Sequence, residues 1–255
     1  MLIQELYNMD YKNNYGSISF EENKWDSRVL QSPAISINDI EYTSNCNLLI
    51  AQFIKDIMGD YSFATYRAIS NDLTLFKALF QNQFIQVEKS FGISGSNFDT
   101  TKLSSLKKMS NIEEMSGENQ ETEVIQLARE EFAHGRFFED PFIDNKTAIK
   151  RNENWIRDMI NNDTRIVVLK KKDRIYGFMA YEEYESHLQL LLGGVRSTHR
   201  HLSYSFWANF ISEYGNKKPI KTVISSSNLP IINLYAYFGF HFIESFTGFH
   251  FHKTR

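Results

Sequence analysis

The order of apolar and polar positions divides the chain into two patterned halves. In the first half, residues 17–22 (SISFEE) and 33–39 (PAISIND) alternate with a period of two, as strands with one buried face do. Residues 47–59 (NLLIAQFIKDIMG) space their apolar positions helically and end on a glycine. Residues 62–69 alternate again, 72–83 read as a helix with Asp72 near its cap, and 84–93 form a strand. The predicted order is β-β-α-β-α-β, a small N-terminal α/β domain over 1–95.

The polar stretch 96–120 mixes Ser, Asn, Lys and Glu with few aromatics and reads as a linker with room for one short helix. Beyond it, 122–133 and 146–162 are helical, the latter with Ile149, Trp155, Ile156 and Met159 on one face. Strands follow at 164–173, 174–185 and 187–195. After a basic turn, Phe206, Trp207, Phe210, Ile211 and Tyr214 fall at i, i+1, i+4, i+5 and i+8, the apolar stripe of a helix. A strand at 218–226 leads to a helix at 228–239, with Asn228 or Leu229 at its cap, Pro230 in its first turn and Gly239 at its end. Strands at 240–246 and 249–253 finish the chain. Antiparallel strands first and a crossover later predict a mixed, largely antiparallel sheet with helices on both faces, over 121–255. No short sequence repeat is visible.

Composition narrows the function more than the fold. The 255 residues carry 28 Lys and Arg against 31 Asp and Glu, so any anion site must be local. No extended basic stripe accompanies the aromatics, which argues against nucleic acid. No apolar run approaches the ~20 residues of a membrane span. The first residues lack the basic-then-apolar order of a leader, so a cytoplasmic setting is expected. Cys46 alone allows neither a disulfide framework nor a thiolate metal cluster, and no metal is expected.

The chemistry concentrates where HLQLLLGGV (187–195) runs into RSTHRHLSYS (196–205). A strand that breaks into a charged turn and then a helix suits a phosphate, because the first backbone N–H groups of a helix are unpaired and its dipole is positive there. Arg196, His199, Arg200 and His201 add positive charge. Serines stand where glycines would be expected, and the turn also reads as merely solvated. Gly193-Gly194 marks either close approach by a ligand or a bulge.

Val195 followed by Arg200-His201-Leu202-Ser203-Tyr204-Ser205 resembles, without its glycines, the Arg/Gln-x-x-Gly-x-Gly/Ala turn of the GNAT superfamily of acyl-CoA-dependent N-acyltransferases. Asn228 and Asn233-Leu234-Tyr235-Ala236-Tyr237-Phe238-Gly239-Phe240 are similar to a second motif of that family. A narrower resemblance spans nearly the whole chain. Trp25-Asp26-Ser27, Gly135-Arg136-Phe137-Phe138-Glu139-Asp140-Pro141 and Trp155-Ile156 look like segments of bacterial nucleotide-sugar N-acyltransferases of the dTDP-fucosamine acetyltransferase type.

The resemblance implies a GNAT-type α/β fold whose domain at 121–255 transfers an acetyl or 3-hydroxybutyryl group from CoA to the 3- or 4-amino group of a dTDP-linked amino-dideoxyhexose, for surface polysaccharide. It implies that Leu192, Gly193, Gly194 and Val195 hold the pantetheine and polarise the thioester, with Arg200, His201, Leu202, Ser203, Tyr204 and Ser205 on the pyrophosphate. Asn228 and Asn233 complete the cofactor side, and Tyr235 protonates the departing thiolate. If Ser203 were held at positive φ, it would be a costly stand-in for glycine. Arg136, Asp140 and His134 are the expected sugar-side residues, although Asp140 reads equally as a loop cap. For the base, Glu182, Glu183, His187 and His134 stay open. Acyl-CoA and the dTDP-sugar are the expected partners, with no membrane or nucleic acid, and a homodimer is compatible with them. An acyltransferase for another small amine and a non-catalytic acyl-CoA sensor are the alternatives.

Overall fold

The computed structural model describes residues 8–107, 110–215 and 217–253. The fold is mixed α/β with a largely antiparallel sheet flanked by helices, and the chain divides into two compact units.

Among the described residues, unit 1 comprises 8–90, 135–147 and 245–253. Its strands β1 (Met9–Asn13), β2 (Gly16–Glu22) and β3 (Ala34–Tyr42) pair antiparallel, and β4 (Phe63–Ile69) runs parallel to β3. The short helix α1 (Lys24–Leu30) links β2 to β3, α2 (Cys46–Ile57) links β3 to β4, and α3 (Leu73–Gln81) leads to β5 (Ile85–Gly95). Asn45 and Asp72 cap α2 and α3, accepting hydrogen bonds from the N–H groups of Leu48 and Leu75. Leu49, Ile50 and Phe53 of α2 and Leu75 and Leu79 of α3 meet Ile18, Ile35 and Phe249 in one core. Strand β1 and helix α1 escaped the sequence reading: β1 is short and half-exposed, and α1 has seven residues, too few for a periodic stripe.

Unit 2 comprises residues 91–134 and 148–244. Residues 96–120 carry helix α4 (Thr100–Leu106), strand β6 (Asn111–Glu114) and the start of α5 (Gly117–Glu130), and β6 pairs antiparallel with β7 (Arg165–Lys171). Helix α6 (Asn145–Asn161) precedes β7. Strands β7, β8 (Arg174–Glu183) and β9 (Leu188–Val195) are antiparallel neighbours, and β10 (Ile220–Ser225) lies parallel to β9. Helix α7 (Ser203–Tyr214) joins β9 to β10, and α8 (Leu229–Tyr237) follows β10. The predicted stripe of α7 is buried, with Phe206, Phe210 and Ile211 packing against β-strand residues Tyr181 and Leu190. A second core, built by Val124 and Leu127 of α5 and Ile156 of α6, covers Val168 and Phe178. One face of unit 2 thus carries α7 and α8, the other α5 and α6.

The chain ends in one strand, β11 (His241–His252), where two were expected. Gly248 sits inside it without breaking the ladder, and from Phe246 to His252 it pairs antiparallel with β4 of unit 1. Among the described residues, no helix is long and apolar enough to cross a membrane.

Candidate active site

The site begins with a register fault. Along the β8–β9 ladder Tyr181 pairs with Leu190 but Ala180 pairs with Leu192, so Leu191 is an extra residue, a β-bulge. A bulge bends its strand and sharpens the twist. Strand β9 leaves β10 at this place: Leu188 pairs with Ile220 and Gln189 with Lys221, and no further ladder partner follows among the described residues. The Thr222 hydroxyl donates to the Leu190 carbonyl at 3.2 Å as the strands part. On its other side β9 stays paired with β8 as far as Val195 and Gly177. From Leu191 to Val195 alternate backbone groups therefore have no ladder partner on the β10 side among the described residues.

The paired glycines serve packing. A Cβ on Gly193 would stand 2.5 Å from Met179 Sδ, and one on Gly194 would stand 3.3 Å from the Phe132 ring. The bulge lies at Leu191, not at either glycine, and the space beside the glycines is filled.

The turn that follows is a 3₁₀ helix, Ser197–Leu202, kinked at His199. Arg196 is committed, its guanidinium reaching Glu130 at 2.9 Å and the Ile175 carbonyl at 3.3 Å. The Ser197 N–H donates to Glu131 at 2.8 Å. The His199 ring lies tilted against that of Tyr176, their centroids 4.2 Å apart. Arg200 and His201 stand exposed, and Arg200 makes no ion pair among the described residues. The 3₁₀ turn feeds straight into α7, which has no side-chain cap among the described residues. Beside Leu202 lies a hollow of ≈ 230 Å³ lined by Lys170, Lys171, Lys172, Ser110 and Asn111.

Two expectations about this turn are corrected. Ser203 has φ −58° and ψ −47°, ordinary right-handed helix, and its N–H already donates to the Arg200 carbonyl. Nothing there demands glycine, so the serine is no strained substitute. Ser205 is buried, and its hydroxyl lies 2.7 Å from that of Ser110, pointing into the fold. Leu202 is core, while the Tyr204 ring meets Tyr237 edge-on.

Helix α8 starts at the C-terminal end of β10. Asn228 caps it, accepting from the Ile231 N–H at 3.3 Å, and Asn233 is exposed. Gly239, at φ 81°, ends it. Tyr235 is 3 % exposed, between Trp207 and Phe240. Burial pushes its phenol pKa well above the usual value, so the group keeps its proton at neutral pH.

The base candidates separate. Glu182, Glu183 and His187 lie at the Leu188 end of β9, where the strands are paired and away from the splay. Glu183 is held by Lys218 and Arg165, and the Lys218 bond lowers its pKa. His134 instead reaches the β10–α8 turn, with Nδ1 2.9 Å from the Ser227 hydroxyl. The single cysteine, Cys46, is buried in unit 1, where burial pushes its thiol up to about 11.

Arg136 and Asp140 belong to a buried network of unit 1. The Arg136 guanidinium donates to Asp26 at 3.0 Å and to the Thr65 hydroxyl at 3.1 Å. Asp140 accepts from the Phe142 N–H, and one of its oxygens lies 2.6 Å from His250 Nδ1 and 2.8 Å from His252 Nε2. Burial raises the Asp140 pKa, but the bonds from His250, His252 and Phe142 outweigh it and hold the carboxyl well below its usual range. Burial lowers His250 to about 4. Asp140, His250 and His252 are of metal-ligand type and their ligand atoms lie within 4.8 Å of one another. One carboxylate oxygen accepts from both imidazoles, while His250 Nε2 is buried with no hydrogen-bond partner among the described residues.

No family model matches the sequence, and no curated protein matches it. Solved structures do. A functionally unknown conserved protein from Staphylococcus epidermidis is 12% identical, with 97% of this chain and 95% of that one covered and a TM-score of 0.63. A GCN5-related N-acetyltransferase from Sphaerobacter thermophilus is 10% identical, with 92% and 76% covered and a TM-score of 0.58. A tandem GNAT protein from the clavulanic acid biosynthesis pathway is 9% identical, with 94% and 81% covered and a TM-score of 0.53. At these identities the likeness is one of fold: the chain has a GNAT-like fold.

Proposed function

We propose that the chain is an acyl-CoA-dependent N-acyltransferase. The observation that carries the reading is the parting of β9 from β10 just before the Leu191 bulge, with β9 ending at a turn that carries exposed Arg200. A thioester laid along β9 would find backbone N–H groups from Leu192 to Val195 for its carbonyl. The CoA pyrophosphate would lie by Arg200 and His201 at the start of α7. The amine nitrogen attacks the carbonyl carbon, the C–S bond breaks, and Tyr235 protonates the departing sulfur. A direct attack fits a chain whose one thiol is buried in unit 1 and held protonated.

For the acceptor, the finer reading is the amino group of a dTDP-linked amino-dideoxyhexose. Its support is the resemblance at Trp25-Asp26-Ser27 and Gly135–Pro141. Asp26, Arg136 and Asp140 enter that reading as framework, because their polar atoms are engaged with one another and with Thr65, His250 and His252. Acetyl is the favoured acyl group, given the filled space beside Gly193 and Gly194. The test is calorimetric titration with acetyl-CoA, followed by turnover with acetyl-CoA and a panel of dTDP-amino sugars and simple primary amines. No binding of acetyl-CoA would end the reading. Binding without turnover on any amine would leave a sensor, and turnover confined to non-sugar amines would remove the dTDP-sugar.

A further inference from the structure

We infer that a hydroxyl relay, Ser225 to Ser227 to His134, carries away the proton that the attacking amine gives up. The inference rests on the acyl-transfer reading of the β9–β10 cleft and supplies its missing base.

Ser225 ends β10, four residues beyond Lys221, the last position paired with β9. It therefore lies on the part of β10 that has no ladder pair with β9 among the described residues, and it is buried. Its hydroxyl oxygen is 2.9 Å from that of Ser227, and the Ser227 N–H donates to it at 3.2 Å, which fixes the pair. The Ser227 hydroxyl is in turn 2.9 Å from His134 Nδ1. His134 is exposed, and its Nε2 makes no hydrogen bond among the described residues. The chain thus runs from a buried wall of the cleft to an imidazole in water.

The segment that carries His134 is fastened to the other wall. Glu130 pairs with Arg196, Glu131 accepts from the Ser197 N–H, and Phe132 packs over Gly194. Residues 130–134 therefore bridge the end of β9 and the β10–α8 turn. Those two carboxylates, the acids nearest in sequence to His134, are committed to these bonds.

In the step, the substrate ammonium passes a proton to Ser225 Oγ while the Ser225 proton moves to Ser227 Oγ and the Ser227 proton to His134 Nδ1. The freed lone pair on nitrogen forms the C–N bond, the C–S electron pair leaves with sulfur, and the second proton that nitrogen then sheds replaces the one Tyr235 gives to sulfur. The imidazolium then releases its Nε2 proton to solvent. Histidine suits this end of the chain because an imidazole can accept a proton at one nitrogen and release one from the other.

The experiment is the pH profile of kcat/KM for acetyl-CoA with the best amine of the panel, for wild type, His134→Ala, Ser227→Ala and Ser227→Thr, each shown to melt like wild type. Both alanine variants should lose about 10²-fold at pH 7, the scale of a general base, with the loss shrinking as the amine deprotonates by itself at high pH. Ser227→Thr keeps a hydroxyl and should recover most of the rate. The KM for acetyl-CoA should not move. Wild-type profiles in both alanine variants would overturn the relay and leave acyl transfer standing, whereas absence of acetyl-CoA binding or of any turnover in wild type would remove the acyl-transfer reading itself.

Discussion

Strands β3 and β9, with the helices and parallel strands that follow them, follow one plan and reach opposite ends. In unit 1 the β2–β3 ladder pairs Ser19 with Asp39 and Phe20 with Ile37, so Asn38 is an extra residue, and β3 leaves β4 at Ile37. In unit 2 the extra residue is Leu191, and β9 leaves β10 at Gln189. Each strand then turns into a helix, α2 or α7. The difference lies at those helix starts. Asn45 caps α2, and the Tyr42 hydroxyl bridges at 3.1 Å to Asp72, the cap of α3. The turn between, residues 42–45, has no basic residue. Among the described residues helix α7 has no side-chain cap, and it is preceded by exposed Arg200 and His201. The N–H groups of Ser197 and Ser203 are taken by Glu131 and the Arg200 carbonyl, so what sets the second place apart is its exposed positive charge, which suits an anion from outside.

The largest effect that would sharpen this contrast is on chemistry in unit 2. Tyr235→Phe keeps the packing against Trp207 and Phe240 and deletes the proton donor. We expect kcat to fall about 10²–10³-fold with the KM for acetyl-CoA little changed, in steady-state kinetics on a variant that melts like wild type. A near-normal kcat would make Tyr235 a packing residue.

Acid should distinguish the units next. His250 of unit 1 is neutral when folded and titrates near 4, against an unperturbed value of 6.5. The unfolded chain binds the proton first as pH falls, so stability is whole above pH 6.5 and is lost between 6.5 and 4. The depressed Asp140 carboxyl acts in the same direction further down, below its ordinary range. A loss of roughly 3 kcal/mol is expected from His250. Hydrogen exchange between pH 7 and 4 should show unit 1 losing protection before unit 2; simultaneous loss would deny the separation.

Two helix starts give a smaller, reciprocal test. Arg200→Ala should raise the KM for acetyl-CoA about fivefold with kcat nearly unchanged, the worth of an exposed charge pair remote from the reacting bond. Asn45→Ala should leave that KM alone and cost about 1 kcal/mol in denaturant unfolding, since it removes only the α2 cap. An effect of Asn45→Ala on the donor KM would undo the distinction between the two turns. Smallest of all, Ser203→Gly should fail to tighten CoA binding in calorimetry and should lower stability by about 0.5–1 kcal/mol, because Ser203 already holds helical dihedrals. Tighter binding would mean the turn must bend away from its 3₁₀ form.

What the sequence determined by itself is what neighbouring residues decide among themselves. The stripe of Phe206, Phe210 and Ile211, the caps Asp72 and Asn228 and the stop at Gly239 act within a turn or two of helix, so spacing alone places them. The strands with clear alternation were legible for the same reason. The candidate site was legible only as a place, β9 and the turn after it. Its working geometry depends on partners distant in sequence: the Leu191 bulge exists only against Ala180 and Tyr181, and the glycine space is filled by Met179 and Phe132. His134 reaches Ser227 across 93 residues, and Asp140 meets His250 across 110. Register, the course of β11 as one strand and the commitment of Arg136 to Asp26 were likewise settled by tertiary structure. A bulge or a buried polar bond is a relation between two segments, and its free energy appears only when the fold has brought both of them together.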